Sequence, residues 1–239
     1  MVQKKVLVTG ASKGIGKAIC QRLLQDGYSV VGVARTKPSD FPSEIEFHCV
    51  DLSDNQAVKS FLQTPEMNAP FYGLVNNVGM VPKGMLSDVT HEDIYKAVQL
   101  NIEVAILFSQ AIAKGMSAAG MGRIVNISSR AAIGKESRTI YSMTKAGLIG
   151  MTRTWALEFA ASGITVNAIA PGPIETEFFS SVNDPNDPRT QSLLDSIPVK
   201  RMGRPEDVAH AVAYFADERT GFVTGQTHYV CGGITIGAA

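Results

Sequence analysis

The chain has 239 residues, 45% hydrophobic and 18% charged, enough to bury one large core and fewer than two ordinary domains need. Lys plus Arg and Asp plus Glu are equal at 22 each, so no basic excess points to nucleic acid or to a membrane surface. The three cysteines, Cys20, Cys49 and Cys231, lack CxxC or metal-ligand spacing and stand in apolar surroundings, so reduced, buried thiols and no metal site are expected.

The N-terminus runs straight into a strand pattern without the apolar core of a signal peptide. No apolar run reads as membrane-spanning, and a soluble, cytoplasmic protein is expected. Alternating strand and helix patterns predict one α/β domain over residues 1–239, built as a doubly wound, Rossmann-type parallel sheet of about seven strands with helices on both faces.

Val6-Leu7-Val8-Thr9 is an apolar run suited to a buried parallel strand. It enters Gly10-Ala11-Ser12-Lys13-Gly14-Ile15-Gly16 and then a helical pattern that ends at Gly27. Strand, glycine turn and helix form the context of a dinucleotide site: the glycines bring a pyrophosphate against the helix N-terminus, where free N–H groups favour anions.

Ser29 to Ala34 is the second strand, followed by Arg35-Thr36-Lys37. A cofactor held through its ribose hydroxyls calls for an acid at this strand end, and a 2′-phosphate calls for a cation. Arg35, with Lys13 as a possible second cation, points to NADP(H); the plain alternative is a solvated arginine. The short segment from Pro38 to Glu44 leaves no room for a full crossover helix.

A third strand, Ile45 to Val50, closes on Asp51-Leu52. The Asp51 carboxylate suits either an adenine amino group or the cap of a helix beginning near Ser53. Phe71 to Val75 is a fourth buried strand, followed by Asn76-Asn77-Val78-Gly79, which reads as a ligand-approach loop or as a simple turn.

Thr90 to Ala119 reads as one helix, with Asn101 inside its apolar stripe. That amide must be hydrogen-bonded, either within the core or to a water. Gly122 to Ile127 is a fifth strand ending in Ser128-Ser129, whose hydroxyls lie where ligands of parallel sheets sit.

Tyr141 and Lys145 stand at i and i+4 near the start of a long helix and share one face. A nearby ammonium would bring the phenol down from about 10 and make it a general acid or base; the plain alternative is a surface pair. A sixth strand, Thr165 to Ile169, leads to Pro171-Gly172-Pro173-Ile174-Glu175-Thr176. Residues 178–196, with two Asp-Pro steps and few apolar side chains, read as a substrate lid or as a plain surface loop. A helix to Ala216 and a last strand, Gln226 to Val230, complete the pattern.

These motifs jointly resemble the short-chain dehydrogenase/reductase family over nearly the whole chain: Thr9-Gly10-x-x-x-Gly14-x-Gly16, Asn76-Asn77-x-Gly79, Asn101, a serine, Tyr141-x-x-x-Lys145, and Pro171-Gly172 with Thr176. The resemblance implies a catalytic tetrad of Asn101, Ser129, Tyr141 and Lys145, with Ser129 taken over Ser128 because the family's hydroxyl comes second.

It also implies cofactor contacts at Gly10, Ser12, Lys13, Gly14, Ile15, Gly16, Arg35, Thr36, Asp51, Leu52, Asn77, Val78, Gly79, Tyr141 and Lys145. Pro171, Gly172, Ile174 and Thr176 would also contact the cofactor, with backbone groups near Ile174 and the Thr176 hydroxyl holding the nicotinamide carboxamide. In the implied chemistry Tyr141 gives a proton to a ketone oxygen, Lys145 lowers its pKa, and Asn101 holds a water.

Two positions depart from the family pattern: Val78 for the usual Ala, and Cys231 where Val-Asp-Gly-Gly carries an acid. The C-terminal stretch resembles that of bacterial 3-oxoacyl-carrier-protein reductases and NADPH carbonyl reductases, which implies a homotetramer acting on a small-molecule or acyl-thioester carbonyl. Arg130, Ala131 and Arg138 are expected around that substrate. An oxidative polyol, sugar or hydroxysteroid dehydrogenase is the competing enzyme, and a nucleotide-binding regulator without catalysis is the alternative from another class.

Overall fold

Leu7, Val8, Leu74 and Val166 are all but inaccessible to solvent, as strands covered on both faces must be. The structure is a computed structural model and describes residues 3–177, 179 and 188–236. Among these residues the strands are β1 (Lys5–Thr9), β2 (Ser29–Ala34), β3 (Glu46–Cys49), β4 (Phe71–Asn76), β5 (Gly122–Ile127), β6 (Ile164–Pro171) and β7 (Thr227–Val230). They form one parallel sheet in the order β3-β2-β1-β4-β5-β6-β7. The strand order reverses between β1 and β4, and in such sheets the crevice at that switch point is where ligands bind.

The helices are α1 (Gly14–Gln25), α2 (Asn55–Leu62), α3 (His91–Val98), α4 (Val104–Ala119), α5 (Thr139–Phe159), α6 (Pro188–Ser196) and α7 (Pro205–Ala216). Two apolar clusters cover the sheet: Ile19 and Leu23 of α1 meet Val208, Val212 and Phe215 of α7 on one face, while Phe61, Phe108, Ile112, Met116 and Ala156 fill the other. No helix connects β2 to β3, as the short intervening segment predicts.

Three expectations are corrected. Cys49 lies on the edge strand β3 and is exposed, whereas Cys20 and Cys231 are buried. The helical stretch from His91 is not one regular helix: five residues, Gln99–Glu103, adopt π-helical geometry between α3 and α4. That stretch, His91–Ala119, is also long and apolar enough to cross a membrane by length and composition. Here Phe108, Ile112 and Met116 spend its apolar character on the core.

Candidate active site

The first turn of the switch-point crevice depends on three glycines in two ways. Gly10 and Gly14 have φ of +68° and +51°, a left-handed backbone that side chains oppose. Gly16 is needed for space, because a Cβ there would stand 2.1 Å from the Gly10 carbonyl oxygen.

Asn77 fastens this loop from β4: its Nδ2 donates to the carbonyls of Thr9 at 2.9 Å and Gly10 at 3.1 Å. The Thr9 hydroxyl accepts from the backbone N–H of Asn77 at 3.0 Å and of Val78 at 3.2 Å. The motifs after β1 and β4 are therefore one hydrogen-bonded unit.

A cleft of about 1190 Å³ runs across this unit. Gly10, Ser12, Lys13, Gly14, Arg35, Thr36, Asp51, Leu52, Asn77, Val78 and Gly79 line it, as the sequence predicts. Lys17 and Lys96, which the sequence reading did not single out, also line it, and both carry ion partners: Asp40 at 2.5 Å and Glu92 at 2.5 Å. Lys13 and Arg35 have no ion pair among the described residues.

Asp51 does not cap α2. Its Oδ1 accepts from the N–H and hydroxyl of Ser53 at 2.9 and 2.6 Å, and these bonds, with Arg35 nearby, hold its carboxyl below the usual range. Asp54 is the cap, accepting from the N–H groups of Gln56 and Ala57.

A second pocket, about 310 Å³, shares Asn77 and Gly79 with the cleft. It brings together Ile15, Ser129, Tyr141, Lys145, Pro171, Gly172, Ile174 and Thr176. Gly16 and Asn101 line neither space, since both are buried behind the surface.

The buried side of α5 runs Ile140, Thr144, Leu148, Thr152 and Ala156, one residue per turn, and Lys145 beside that stripe is carried into the interior. Its Nζ donates to the Ile127 carbonyl at 2.8 Å and lies 5.8 Å from the centroid of the Tyr141 ring. Burial pulls the ammonium down to about 8.

Tyr141 behaves otherwise than the i,i+4 spacing predicts. Burial raises its pKa; a hydrogen bond with the Ser129 hydroxyl and the charge of Arg138 only partly oppose this, and Lys145 is not among the groups that lower it. Lys145 keeps its proton at neutral pH, but its Nζ is turned to the Ile127 carbonyl, stands 5.8 Å from the ring centroid and does not offset the burial of the phenol.

The serines divide the work. Ser128 is buried and donates to the Lys145 carbonyl at 2.7 Å, so its hydroxyl fixes α5 against β5. Ser129 meets Tyr141, and its oxygen accepts from the Ala131 N–H at 3.1 Å, which leaves its own hydrogen able to donate.

Asn101 sits in the π-helical segment with its amide fully engaged. Oδ1 accepts from the Met80 N–H at 2.7 Å; Nδ2 donates to the Met80 carbonyl and the Thr144 hydroxyl, each at 3.0 Å. Both N–H donors are spent on protein, so the side chain answers the core requirement and has no donor left for water.

The segment after β6 is pinned from below. Glu175 N–H donates to the Gly203 carbonyl at 2.8 Å and Gly203 N–H to the Pro173 carbonyl at 3.0 Å, which sets Ile174 and Thr176 beside the glycine loop. The Thr176 oxygen accepts from the Phe179 N–H at 3.1 Å. Of the predicted lid, 178–196, Pro188–Ser196 form α6, and Phe179 and Leu193 line the pocket; 178 and 180–187 lie outside the described residues.

A family model described as enoyl-(acyl carrier protein) reductase matches residues 10–235. An acetoacetyl-CoA reductase of Rhizobium meliloti is 37% identical over 97% of this chain and 98% of its own. A 3-oxoacyl-[acyl-carrier-protein] reductase of Vibrio cholerae is 34% identical over 97% of each. The chain belongs to the short-chain dehydrogenase/reductase family.

A solved member from Agrobacterium tumefaciens, described as a candidate 2-deoxy-D-gluconate 3-dehydrogenase with bound NADP, superposes with a TM-score of 0.90 at 32% identity, covering 99% of this chain and 98% of its own. The protein is thus a short-chain dehydrogenase/reductase oxidoreductase. Its departures from the family pattern are absorbed locally: Val78 packs against the core below the cleft, and the Cys231 thiol lies 3.0 Å from the Thr235 hydroxyl.

In this short-chain dehydrogenase/reductase Thr144 is buried behind the pocket and holds Asn101 from there; it stands inside the Tyr141-x-x-x-Lys145 quintet, and its spacing from Tyr141 is the signal for it. Lys83 and Lys135 had none, because they meet only through the tertiary fold.

Proposed function

We propose that the protein reduces the ketone of 3-oxoacyl compounds with NADPH. One observation carries this reading: the Ser129 hydroxyl, the Tyr141 phenol and the buried Lys145 ammonium converge in a pocket that joins a cleft leading to Arg35. The left-handed Gly10 and Gly14 and the N-terminus of α1 suit a pyrophosphate, and the unpaired Lys13 and Arg35 suit a 2′-phosphate. The relatives named for 3-oxoacyl and acetoacetyl reduction, and the NADP-bound structure, support both parts.

When bound, NADPH supplies the hydride that adds to the carbonyl carbon. Ser129 donates a hydrogen bond to the carbonyl oxygen, and Tyr141 delivers a proton to it as the alcohol forms. A raised pKa keeps Tyr141 a phenol at neutral pH, the form that reduction requires. Lys145 contributes the positive charge at the floor of the pocket and a donor for the nicotinamide ribose. Asn101 acts as a positioning residue through Thr144, and Ile174 and Thr176 orient the carboxamide.

Loss of nicotinamide absorbance with NADPH or NADH and a panel of ketones tests the reading; the reverse assay with NADP⁺ and hydroxy acids or polyols tests the oxidative direction. Tyr141→Phe should keep NADPH binding while turnover drops by about three orders of magnitude. Unchanged turnover in that variant, or none with any ketone in the wild type, overturns the proposal.

We further propose a homotetramer, supported by the exposed Leu157 on α5 and Phe222 ahead of β7. A monomer mass in sedimentation equilibrium would overturn it.

A further inference from the structure

The catalytic pocket holds more positive charge than a neutral ketone needs. Lys83, Arg130, Lys135 and Arg138 all line the space of about 310 Å³ that contains Ser129 and Tyr141. Among the described residues none of the four pairs with a carboxylate, although Lys4, Lys5, Lys17, Arg22, Lys96, Arg201 and Arg219 all do. Among the described residues the Arg138 guanidinium donates to the neighbouring Ser137 carbonyl, at 2.7 Å, and to no other group. In a chain with equal acids and bases, four cations in one pocket without a carboxylate partner among the described residues are a local departure.

The fold holds them there. Gly84 and Arg138 form a parallel bridge, with the Gly84 N–H donating to the Ser137 carbonyl at 3.2 Å, which ties the Lys83 loop to the start of α5. Ser137 makes the stitch with φ of 56°, a left-handed conformation uncommon for a residue with a Cβ. Burial, then the charges of Arg130, Arg138 and Lys83, push the Lys135 ammonium down, and no acid appears among the groups acting on it.

We infer that the substrate carries a carboxylate close to its reacting carbonyl, bound by Arg130 and Arg138 with Lys83 and Lys135 adding charge. The inference rests on the reductase reading above and names its substrate class. Guanidinium groups match a carboxylate through paired, charge-assisted hydrogen bonds. The pocket lies at the small end of ligand sites, so an anion inside it stands within a few bonds of the carbonyl. The phosphates of a coenzyme A thioester are a whole pantetheine arm away and fall outside it. The free 3-oxo acid therefore fits better than its thioester.

Two readouts test this. In calorimetric titration malonate should bind the wild-type protein, malonamide should not, and Arg130→Gln with Lys135→Gln should weaken malonate by about tenfold or more. With NADPH, kcat/KM for acetoacetate should exceed that for acetoacetamide by about tenfold, and the ratio should fall toward unity in the double variant. Lys83→Gln, at an exposed position, serves the same comparison if the double variant does not fold.

Malonate binding without turnover of any ketone would leave the anion site standing and remove the reductase reading. Equal kcat/KM for the two ketones without malonate binding overturns the anion site and leaves the reductase. A preference of about tenfold for acetoacetyl-CoA over acetoacetate moves the charge to the distant phosphates and overturns the carboxylate assignment.

Discussion

Asn101 donates to the Thr144 hydroxyl at 3.0 Å, and that hydroxyl donates to the Tyr141 carbonyl at 3.0 Å. The π-helical turn is thereby joined to the backbone of the residue proposed to transfer the proton. Thr144→Val removes the link without changing shape. It should strand one buried Asn101 N–H, cost about 1–3 kcal/mol in urea unfolding, and lower kcat by about tenfold while NADPH affinity holds. An unchanged kcat would show that Asn101 has no positioning role.

Burial of Lys145 costs the fold stability. Its ammonium is pulled from an ordinary 10.5 to about 8. The unfolded chain thus binds the proton more tightly, and the penalty on folding is complete below pH 8. The penalty fades as pH rises from about 8 to 10.5, and its full size is on the order of 3 kcal/mol. Lys145→Met should therefore melt higher than wild type at pH 7, lose turnover by about three orders of magnitude, and show a smaller stability advantage at pH 10. An advantage of the same size at both values would disprove the burial argument.

The two serines should separate cleanly. Ser129→Ala removes a donor to the carbonyl oxygen and should lower kcat by about a hundredfold or more. Ser128→Ala removes the bond to the Lys145 carbonyl and should cost about 1 kcal/mol of stability, with much the smaller effect on kcat. Measuring both variants for melting temperature and turnover decides it, and the reverse ranking would exchange their roles.

Cofactor choice should turn on one side chain. Arg35→Asp replaces an unpaired cation at the end of β2 with a group that repels a 2′-phosphate, and should lower kcat/KM for NADPH by about tenfold or more relative to NADH. An unaltered NADPH to NADH ratio would place Arg35 outside the cofactor site.

The glycine turn was legible because left-handed backbone leaves residue identity almost no freedom, as Gly10 and Gly14 show. The central strands were legible because burial on both faces turns them into continuous apolar runs. Between Gln99 and Glu103 the buried positions are the polar Gln99 and Asn101, and a polar residue in a helical stripe does not by itself announce a turn with one residue too many.

Asp51 and Asp54 compete for the same cap, and only coordinates separate them. The i,i+4 spacing placed Tyr141 and Lys145 together correctly but says nothing about depth, and depth decides which of them titrates where. Gly84 and Arg138 meet through a bridge that brings the Lys83 loop to the start of α5, a relationship that local pattern does not encode.

The extra residue in the turn around Asn101 bears on any effort to engineer this scaffold for heat resistance. A π turn is a local irregularity that most optimisation schemes would treat as a defect. Deleting one residue there would produce a more regular rod, but the amide now held between Met80 and Thr144 would be swung about a quarter-turn round the axis. The imperfect helix is the one that fits the enzyme, and a sturdier version would be assembled around a misaimed side chain.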